Sequence, residues 1–238
     1  MNSSGLSLLD FGDCPYLPDR RWHSFATHIF EADEQELDLF MQHGFRRLGH
    51  LFYSPSCYGC EACISLRIPA ARFQANKNQR QIWRRNQDLE VSVAPSQYSD
   101  ELFELYTHYQ KSRWQKQSPI GPQEFCDIYM SSPARGLTFS YRLNGKLIGA
   151  DLMDACLSGI SSVYFVYDCE PRRSLGIFSV MKALEWCRHN QLEFLYLGLY
   201  VEGNASMLYK ASFHPHQRRY RSGQWMDQPE GGWPLPEM

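Results

Sequence analysis

The chain has 238 residues, a formal net charge of −2 and an ordinary apolar content. That is ample for a core in one large or two small domains, and too balanced for whole-chain charge to announce DNA or another polyanion. Residues 1–9 lack the basic start and apolar run of a signal peptide, and no apolar stretch reaches bilayer length, so a cytoplasmic protein with no membrane partner is expected.

Residues 31–44 predict an acidic helix ended by a glycine. Cys57, Cys60 and Cys63 then form a C-x-x-C-x-x-C run, with Cys14 alone upstream. Residues 65–73 predict a strand, 77–89 a basic helix and 91–93 a short strand. Ser99 and Asp100 give a cap signal for a helix over 99–116. Residues 117–122, with two prolines and a glycine, read as a loop. Strands at 138–143 and 146–154 are joined by Asn144–Gly145, a hairpin turn signal. A third strand is expected at 162–167, and an amphipathic helix at 174–190 with Ile177, Val180, Met181 and Leu184 on one stripe. A strand at 194–199, a short helix at 205–211 and a last strand near 218–221 complete the chain. The second half thus reads strand–strand–strand–helix–strand–helix–strand. This order is similar to a GNAT-like acyltransferase core, an α/β (α+β) fold with a mixed sheet and helices on both faces. The expected domains are a small cysteine-containing N-terminal domain over 1–95 and the GNAT-like domain over 96–238. Fold alone does not assign function.

Eight cysteines in a reducing compartment are expected to be reduced or metal-bound. Three closely spaced cysteines plus one remote cysteine suit a [4Fe–4S] cluster better than structural Zn2+, which prefers two separated pairs. Reduced thiols with packing roles, or redox sensing, are the alternatives. Between Glu61 and Asp88 there is no acidic residue, while Arg67, Arg72, Lys77, Arg80, Arg84 and Arg85 all fall there. Such a segment suits phosphate contacts of RNA, against the common reading of a charge run as a solvated helix face. A second acid-free block, 203–226, holds Lys210, His214, His216, Arg218, Arg219 and Arg221. At the turn into the long helix, Arg172 and Arg173 precede Gly176. Backbone N–H groups at a helix start favour an anion there, although this turn is poorer in glycine than an acetyl-CoA site.

These segments together resemble the arginyl/leucyl-tRNA–protein transferase family, and its bacterial aspartate/glutamate leucyltransferase branch in particular. The similar text is Cys14-Pro15-Tyr16-Leu17-Pro18, Gly44-Phe45-Arg46-Arg47, Tyr53 to Cys63, Ser65-Leu66-Arg67-Ile68-Pro69, Phe73, Asn78-Gln79-Arg80 and Arg85-Asn86-Gln87-Asp88-Leu89. Arg173-Ser174-Leu175-Gly176, Tyr196-Leu197-Gly198 and Met207-Leu208-Tyr209-Lys210 extend it. The chain departs from the family pattern at Asn204, Ala205 and Ser206, where a cysteine and lysines are usual. It departs again after Arg113, where a histidine and a D-G stretch are expected.

The resemblance implies transfer of leucine from Leu-tRNA to the N-terminal α-amine of proteins that begin with Asp or Glu, marking them for N-end rule degradation. No cofactor is required for that chemistry. Tyr209 and Lys210 are the catalytic candidates. Arg67, Arg172 and Arg173 are candidates for the acceptor carboxylate, whose geometry an arginine fork matches. Lys77, Arg80, Arg84 and Arg85 are candidates for the tRNA, with Gly176 at the helix start. Phe165, Tyr167 and Leu199 are expected to line a pocket for the leucyl side chain. Cys14, Cys57, Cys60 and Cys63 are the candidate metal ligands. An arginyl donor, a CoA-dependent GNAT N-acetyltransferase and a non-catalytic RNA-binding protein remain as alternatives.

Overall fold

A computed structural model of the chain describes residues 5–115, 120–133, 135–169, 172–221 and 223–229. Residues 117–119 of the expected loop lie outside them. Two sheets organise the described chain. The smaller takes β1 (Ser7–Asp13), β2 (Arg21–His28), β3 (Arg46–Leu48) and β4 (Leu51–Pro55) in the antiparallel order β1-β2-β4-β3. Between β2 and β3 runs α1 (Glu34–Gln42), the acidic helix expected from the sequence. Asp33 and Glu36 form a reciprocal capping box at its start, which satisfies two otherwise orphaned N–H groups. Gly44 ends the turn after α1 with φ of 76°, and a Cβ there would meet Ser65 Oγ at 2.9 Å.

The larger sheet takes β5 (Cys63–Pro69), then, after α2 (Lys77–Arg85), β6 (Glu90–Pro95). After α3 (Asp100–Trp114) and the short α4 (Pro122–Phe125) come β7 (Gly136–Leu143), β8 (Lys146–Ala155) and β9 (Gly159–Tyr167). Then follow α5 (Leu175–His189), β10 (Phe194–Val201), β11 (Gln217–Arg219) and β12 (Met226–Asp227). Their order is β12-β11-β5-β10-β9-β8-β7-β6. Among the described residues only β9 and β10 run parallel, and every other neighbouring pair of this sheet is antiparallel. Asn144 and Gly145 both take positive φ between β7 and β8, as a tight hairpin of right-twisted strands demands. The expected mixed sheet with helices on both faces is therefore the observed one. One face buries Ile82 of α2 and Phe178, Met181 and Leu184 of α5 against Leu66, Ile160 and Leu195. The other buries Leu102, Leu105 and Tyr106 of α3 and Phe125 of α4 against Leu152 and Val166. The short helix expected at 205–211 is a 3-10 turn at Leu208–Ser212.

The sheets change between β4 and β5, so residues 63–95, grouped with the N-terminal domain by sequence, contribute β5 and β6 to the large sheet. Small and large sheets are joined by one buried ion pair. Arg47 of β3 makes a two-pronged contact with Asp154 of β8, Nε to Oδ2 and Nη2 to Oδ1, the latter at 2.8 Å. Its remaining three donors reach the carbonyls of Tyr129 at 3.2 Å, Ser131 at 3.4 Å and Gly49 at 3.5 Å. Satisfying every donor is what makes such a buried charge tolerable. Arg47→Ala strands the Asp154 carboxylate in the core and is expected to cost about 3–5 kcal/mol by urea unfolding. Replacing both partners, Arg47→Met with Asp154→Leu, is expected to recover most of that loss.

Candidate active site

Strands β9 and β10 pair at only three positions, Gly159↔Phe194, Ile160↔Leu195 and Ser161↔Tyr196. Beyond them the strands diverge, and a cleft of about 740 Å³ opens at the carboxyl ends of the parallel pair. This is where open α/β sheets place ligands. The N-terminus of α5 forms one wall and β3 with Tyr16 and Tyr53 forms another.

The divergence leaves a flank of β10 without a strand, and side chains fill it. The β10–β5 register slips between Tyr196 and Gly198, and Gly198 takes φ of 75°. A Cβ on Gly198 would stand 2.5 Å from Cζ and Nε of Arg46, so the guanidinium rests on bare backbone. Arg46 donates from Nη1 to Ser161 Oγ at 3.0 Å and from Nη2 to the Ser162 carbonyl. From the other side, Lys210 Nζ donates to the carbonyls of Leu197 and Leu199, each at 2.8 Å. At the floor Asp151 of β8, only 2 % exposed, accepts from Ser162 Oγ at 3.2 Å.

Burial sets the protonation of this group. It pushes the Asp151 carboxyl up to about 8, against the pull of the Ser162 and Ser179 hydroxyls, Arg46 and Lys210. It draws the Lys210 amine down to about 7, helped by Arg46 and opposed by Asp151. The Tyr209 phenol, 37 % exposed at the cleft, is pushed up by desolvation of its hydroxyl, then by Asp151 and Tyr167. The floor of the cleft therefore offers a carboxylate, an amine and a phenol, the first two titrating near neutrality. That set suits proton transfer during attack on an acyl carbon.

Most of the residues expected at the site meet here. Tyr209, Lys210, Arg172, Arg173 and Gly176 line the cleft, as do Phe165, Tyr167 and Leu199. Arg173 is committed elsewhere: it forms a two-pronged pair with Asp88 at 2.7 and 2.9 Å and donates to the Arg85 carbonyl at 3.3 Å, tying α5 to the end of α2. Ser174 caps α5 in a left-handed conformation with no side-chain hydrogen bond. Arg67 lies away from the cleft, its guanidinium 3.6 Å from the Phe194 ring centre and 4.4 Å from that of Trp225, with Gln217 at 2.6 Å. It packs the sheet. Lys77, Arg80, Arg84 and Arg85 lie exposed on α2, opposite the buried Gln79 and Ile82, and none has a carboxylate partner among the described residues. The second acid-free block is split: Arg218 pairs with Glu202 at 2.9 Å, His216 is buried and Lys210 sits in the cleft, while His214 and Arg221 are exposed. The sequence reading passed over Arg46 and Asp151. Arg46 lay within a motif it quoted, but nothing in the pattern separates it from Arg47.

Cys14, Cys57 and Cys63 line a cavity of about 20 Å³, room for about one water, with Tyr16 and Tyr53. Burial, reinforced by the neighbouring thiols of Cys57, Cys14 and Cys60, pushes the Cys63 thiol up to about 12. Cys57 Sγ is held by the main chain of His23, accepting at 3.4 Å. Among the described residues no three His, Cys, Asp or Glu side chains are placed to hold a metal ion. The expected ligand set thus converges without ligand geometry. With no three such side chains placed to share an ion among the described residues, this arrangement does not fit a cluster or Zn2+.

In fold, the chain is similar to the crystal structure of the C-terminal domain of a protein assigned as a lysylphosphatidylglycerol synthetase from Agrobacterium fabrum. The TM-score is 0.53 at 16 % identity, over 77 % of this chain and 63 % of that one. The mixed sheet with helices on both faces is the GNAT-like fold expected from the sequence. In sequence, the family profile described as "Arginine-tRNA-protein transferase, N terminus" matches residues 12–81, and that described as "Arginine-tRNA-protein transferase, C terminus" matches residues 101–220. The aspartate/glutamate leucyltransferase of Hahella chejuensis is 32 % identical over 212 residues, 86 % of this chain and 89 % of its own length. That of Gluconobacter oxydans is 37 % identical over 221 residues, 89 % and 90 % of the two chains. The chain belongs to the arginine-tRNA–protein transferase family.

The floor of the cleft also makes stability depend on pH. The Asp151 carboxyl is raised from its ordinary 3.8, so its contribution is complete below about pH 4 and is lost as pH rises through about 8. Lys210 is lowered from its ordinary 10.5, so its contribution is complete above that value and is lost as pH falls through about 7. Asp151→Asn removes the first effect. Its thermal midpoint is expected to rise relative to that of the unaltered protein between pH 5 and 7, by no more than about 1.4 kcal/mol of stability per pH unit. Parallel midpoint curves would show that Asp151 ionises freely.

Proposed function

We propose that the chain transfers leucine from Leu-tRNA to the N-terminal α-amine of proteins that begin with Asp or Glu, in the cytoplasm, marking them for N-end rule degradation. The observation that carries this reading is similarity over about nine-tenths of the chain's length to leucyltransferases of that specificity. The cleft supports it chemically. An aminoacyl ester is already activated, so the protein must align amine and ester, accept one proton and stabilise charge on the acyl oxygen.

In this reading the acceptor amine, with an ordinary pKa of about 7.7–8.0, approaches Asp151. The ionised fraction of Asp151, whose carboxyl burial raises to about 8, takes a proton as the new C–N bond forms. Lys210 in its ammonium form, two of whose three N–H groups are held by the carbonyls of Leu197 and Leu199, turns the third toward the acyl oxygen. When the ester C–O bond breaks, the ribose oxygen leaves with a proton from Tyr209, and the proton taken up by Asp151 returns to the phenolate. Phe165, Tyr167 and Leu199 give the donor side chain an apolar wall, which suits leucine better than arginine. The tRNA backbone would run along the exposed cations of α2. Arg173 joins the end of α2 to the rim of the cleft.

The test is transfer from radiolabelled Leu-tRNA to peptides beginning with Asp, Glu or a neutral residue, repeated with Arg-tRNA and with acetyl-CoA. Transfer of leucine to the acidic peptides alone is expected; transfer only from Arg-tRNA or acetyl-CoA would replace the reading. Asp151→Asn and Lys210→Met are each expected to lower kcat by about 100-fold or more while the protein stays folded. Arg80→Glu combined with Arg84→Glu is expected to raise KM for Leu-tRNA and to flatten its dependence on salt, because fewer counterions are released on binding. An unchanged salt slope would return α2 to the role of a solvated face.

A further inference from the structure

Three cationic side chains, Arg46, Arg47 and Lys210, gather around the floor of the cleft with two carboxyl groups. Asp154 is taken by Arg47. Asp151 accepts from Ser162, and burial favours its neutral form. Arg46 has no carboxylate in salt-bridge contact among the described residues. Its guanidinium carries five N–H groups, and the hydrogen bonds to Ser161 and Ser162 use two. A cation held in a protein wall with donors to spare is costly unless an anion completes it.

We propose that Arg46 is the receptor for the side-chain carboxylate of the acceptor's first residue, and so the residue that restricts transfer to acidic N-termini. The inference rests on the leucyltransferase reading and deepens it. Its geometrical warrant is Ser162. Arg46 holds the carbonyl of that residue and Asp151 its hydroxyl, so the carboxylate receptor and the group that meets the amine are separated by one residue of β9. In an N-terminal aspartate, amine nitrogen and carboxylate carbon are three bonds apart, and in glutamate four. Both reach Arg46 from an amine seated at Asp151. The phosphate of the tRNA's terminal nucleotide lies farther from the ester along its own ribose. It suits the N-terminus of α5 on the opposite wall. Gly198 belongs to the receptor as well, since any side chain there would lift the guanidinium from its seat.

The experiment compares kcat/KM for peptides that differ only in a first residue of Asp, Asn, Glu or Gln, with unaltered protein, Arg46→Gln and Arg46→Lys, each checked for a cooperative thermal transition. In Arg46→Gln the preference for Asp over Asn is expected to fall by at least about tenfold, with KM for Leu-tRNA unchanged. Arg46→Lys keeps the charge but loses the fork, and is expected to restore part of the preference. Should the Gln variant fail to fold, the Lys variant decides by itself: a preference weakened for Asp and Glu alike, at constant KM for Leu-tRNA, upholds the receptor. A preserved preference in folded variants, or a rise in KM for Leu-tRNA that is the same for every peptide, overturns it and assigns Arg46 to packing or to the tRNA phosphate. Absence of leucyl transfer to any peptide by the unaltered protein would instead remove the underlying activity.

Discussion

The guanidinium of Arg46 lying on the bare backbone of Gly198 is the contact on which the cleft depends. Two parallel strands that part after three paired positions leave main chain facing a void. Unpaired main-chain groups away from water are expensive. Here the void is closed from two sides by long cations. Arg46 reaches in from the small sheet to β9, and Lys210 reaches in from the turn after β10 to two of that strand's carbonyls. Charged side chains thereby line the space where the two strands part. The small N-terminal sheet is then a wall of the site and an integral part of the catalytic unit. Arg47, one residue on, bolts that wall to β8 through Asp154, so the alternation of side chains along β3 sends one arginine to the cleft and the next to structure.

The electrostatics follow from that arrangement. A carboxyl placed among cations would ordinarily ionise easily. Asp151 does not, because it lies on the sheet with little access to water, and the loss of hydration outweighs Arg46 and Lys210 together. The same burial weakens the hold of Lys210 on its proton. The pair shares a narrow range near neutrality, in which a proton taken from an amine can be received.

Much of the fold was legible in the sequence because its large elements follow simple periods. The Asn144–Gly145 hairpin, the stripe of Ile177, Val180, Met181 and Leu184, and the Asp33–Glu36 region of α1 obey local rules that tertiary contacts reinforce. The small sheet was illegible for a physical reason. β1 is exposed along most of its length and β3 is three residues long, so neither shows an alternating pattern. Tyr209, Lys210 and the turn at Arg172–Gly176 could be named from the sequence as candidates because they sit in ordered text, and the fold brings them to one cleft. Asp151 was hidden in a strand whose other residues are core, and only three-dimensional burial marks it. Arg67 misled because a cation between two aromatic rings reads in sequence like one offered to a ligand. The cysteine run misled in a similar way. Spacing alone does not reveal that Cys57 is held by the main chain of His23 or that Cys63 opens a buried strand.

Discrimination between acidic and neutral acceptors follows from the same unpaired guanidinium. A receptor of this kind acts more by penalty than by attraction. An acceptor beginning with Asn or Gln fits the same space, yet it leaves Arg46 beside a neutral amide after the cleft has shed its water. Leaving a buried polar group unpaired is what allows a site to reject a near-isostere strongly. An acidic acceptor neutralises Arg46 and so removes one of the charges that depress the Lys210 amine. Lys210 then holds its proton more firmly as the acyl oxygen begins to gain negative charge. Selection of the acceptor and preparation of the cleft for acyl transfer thus draw on a single ionic contact, which an uncharged N-terminus does not supply.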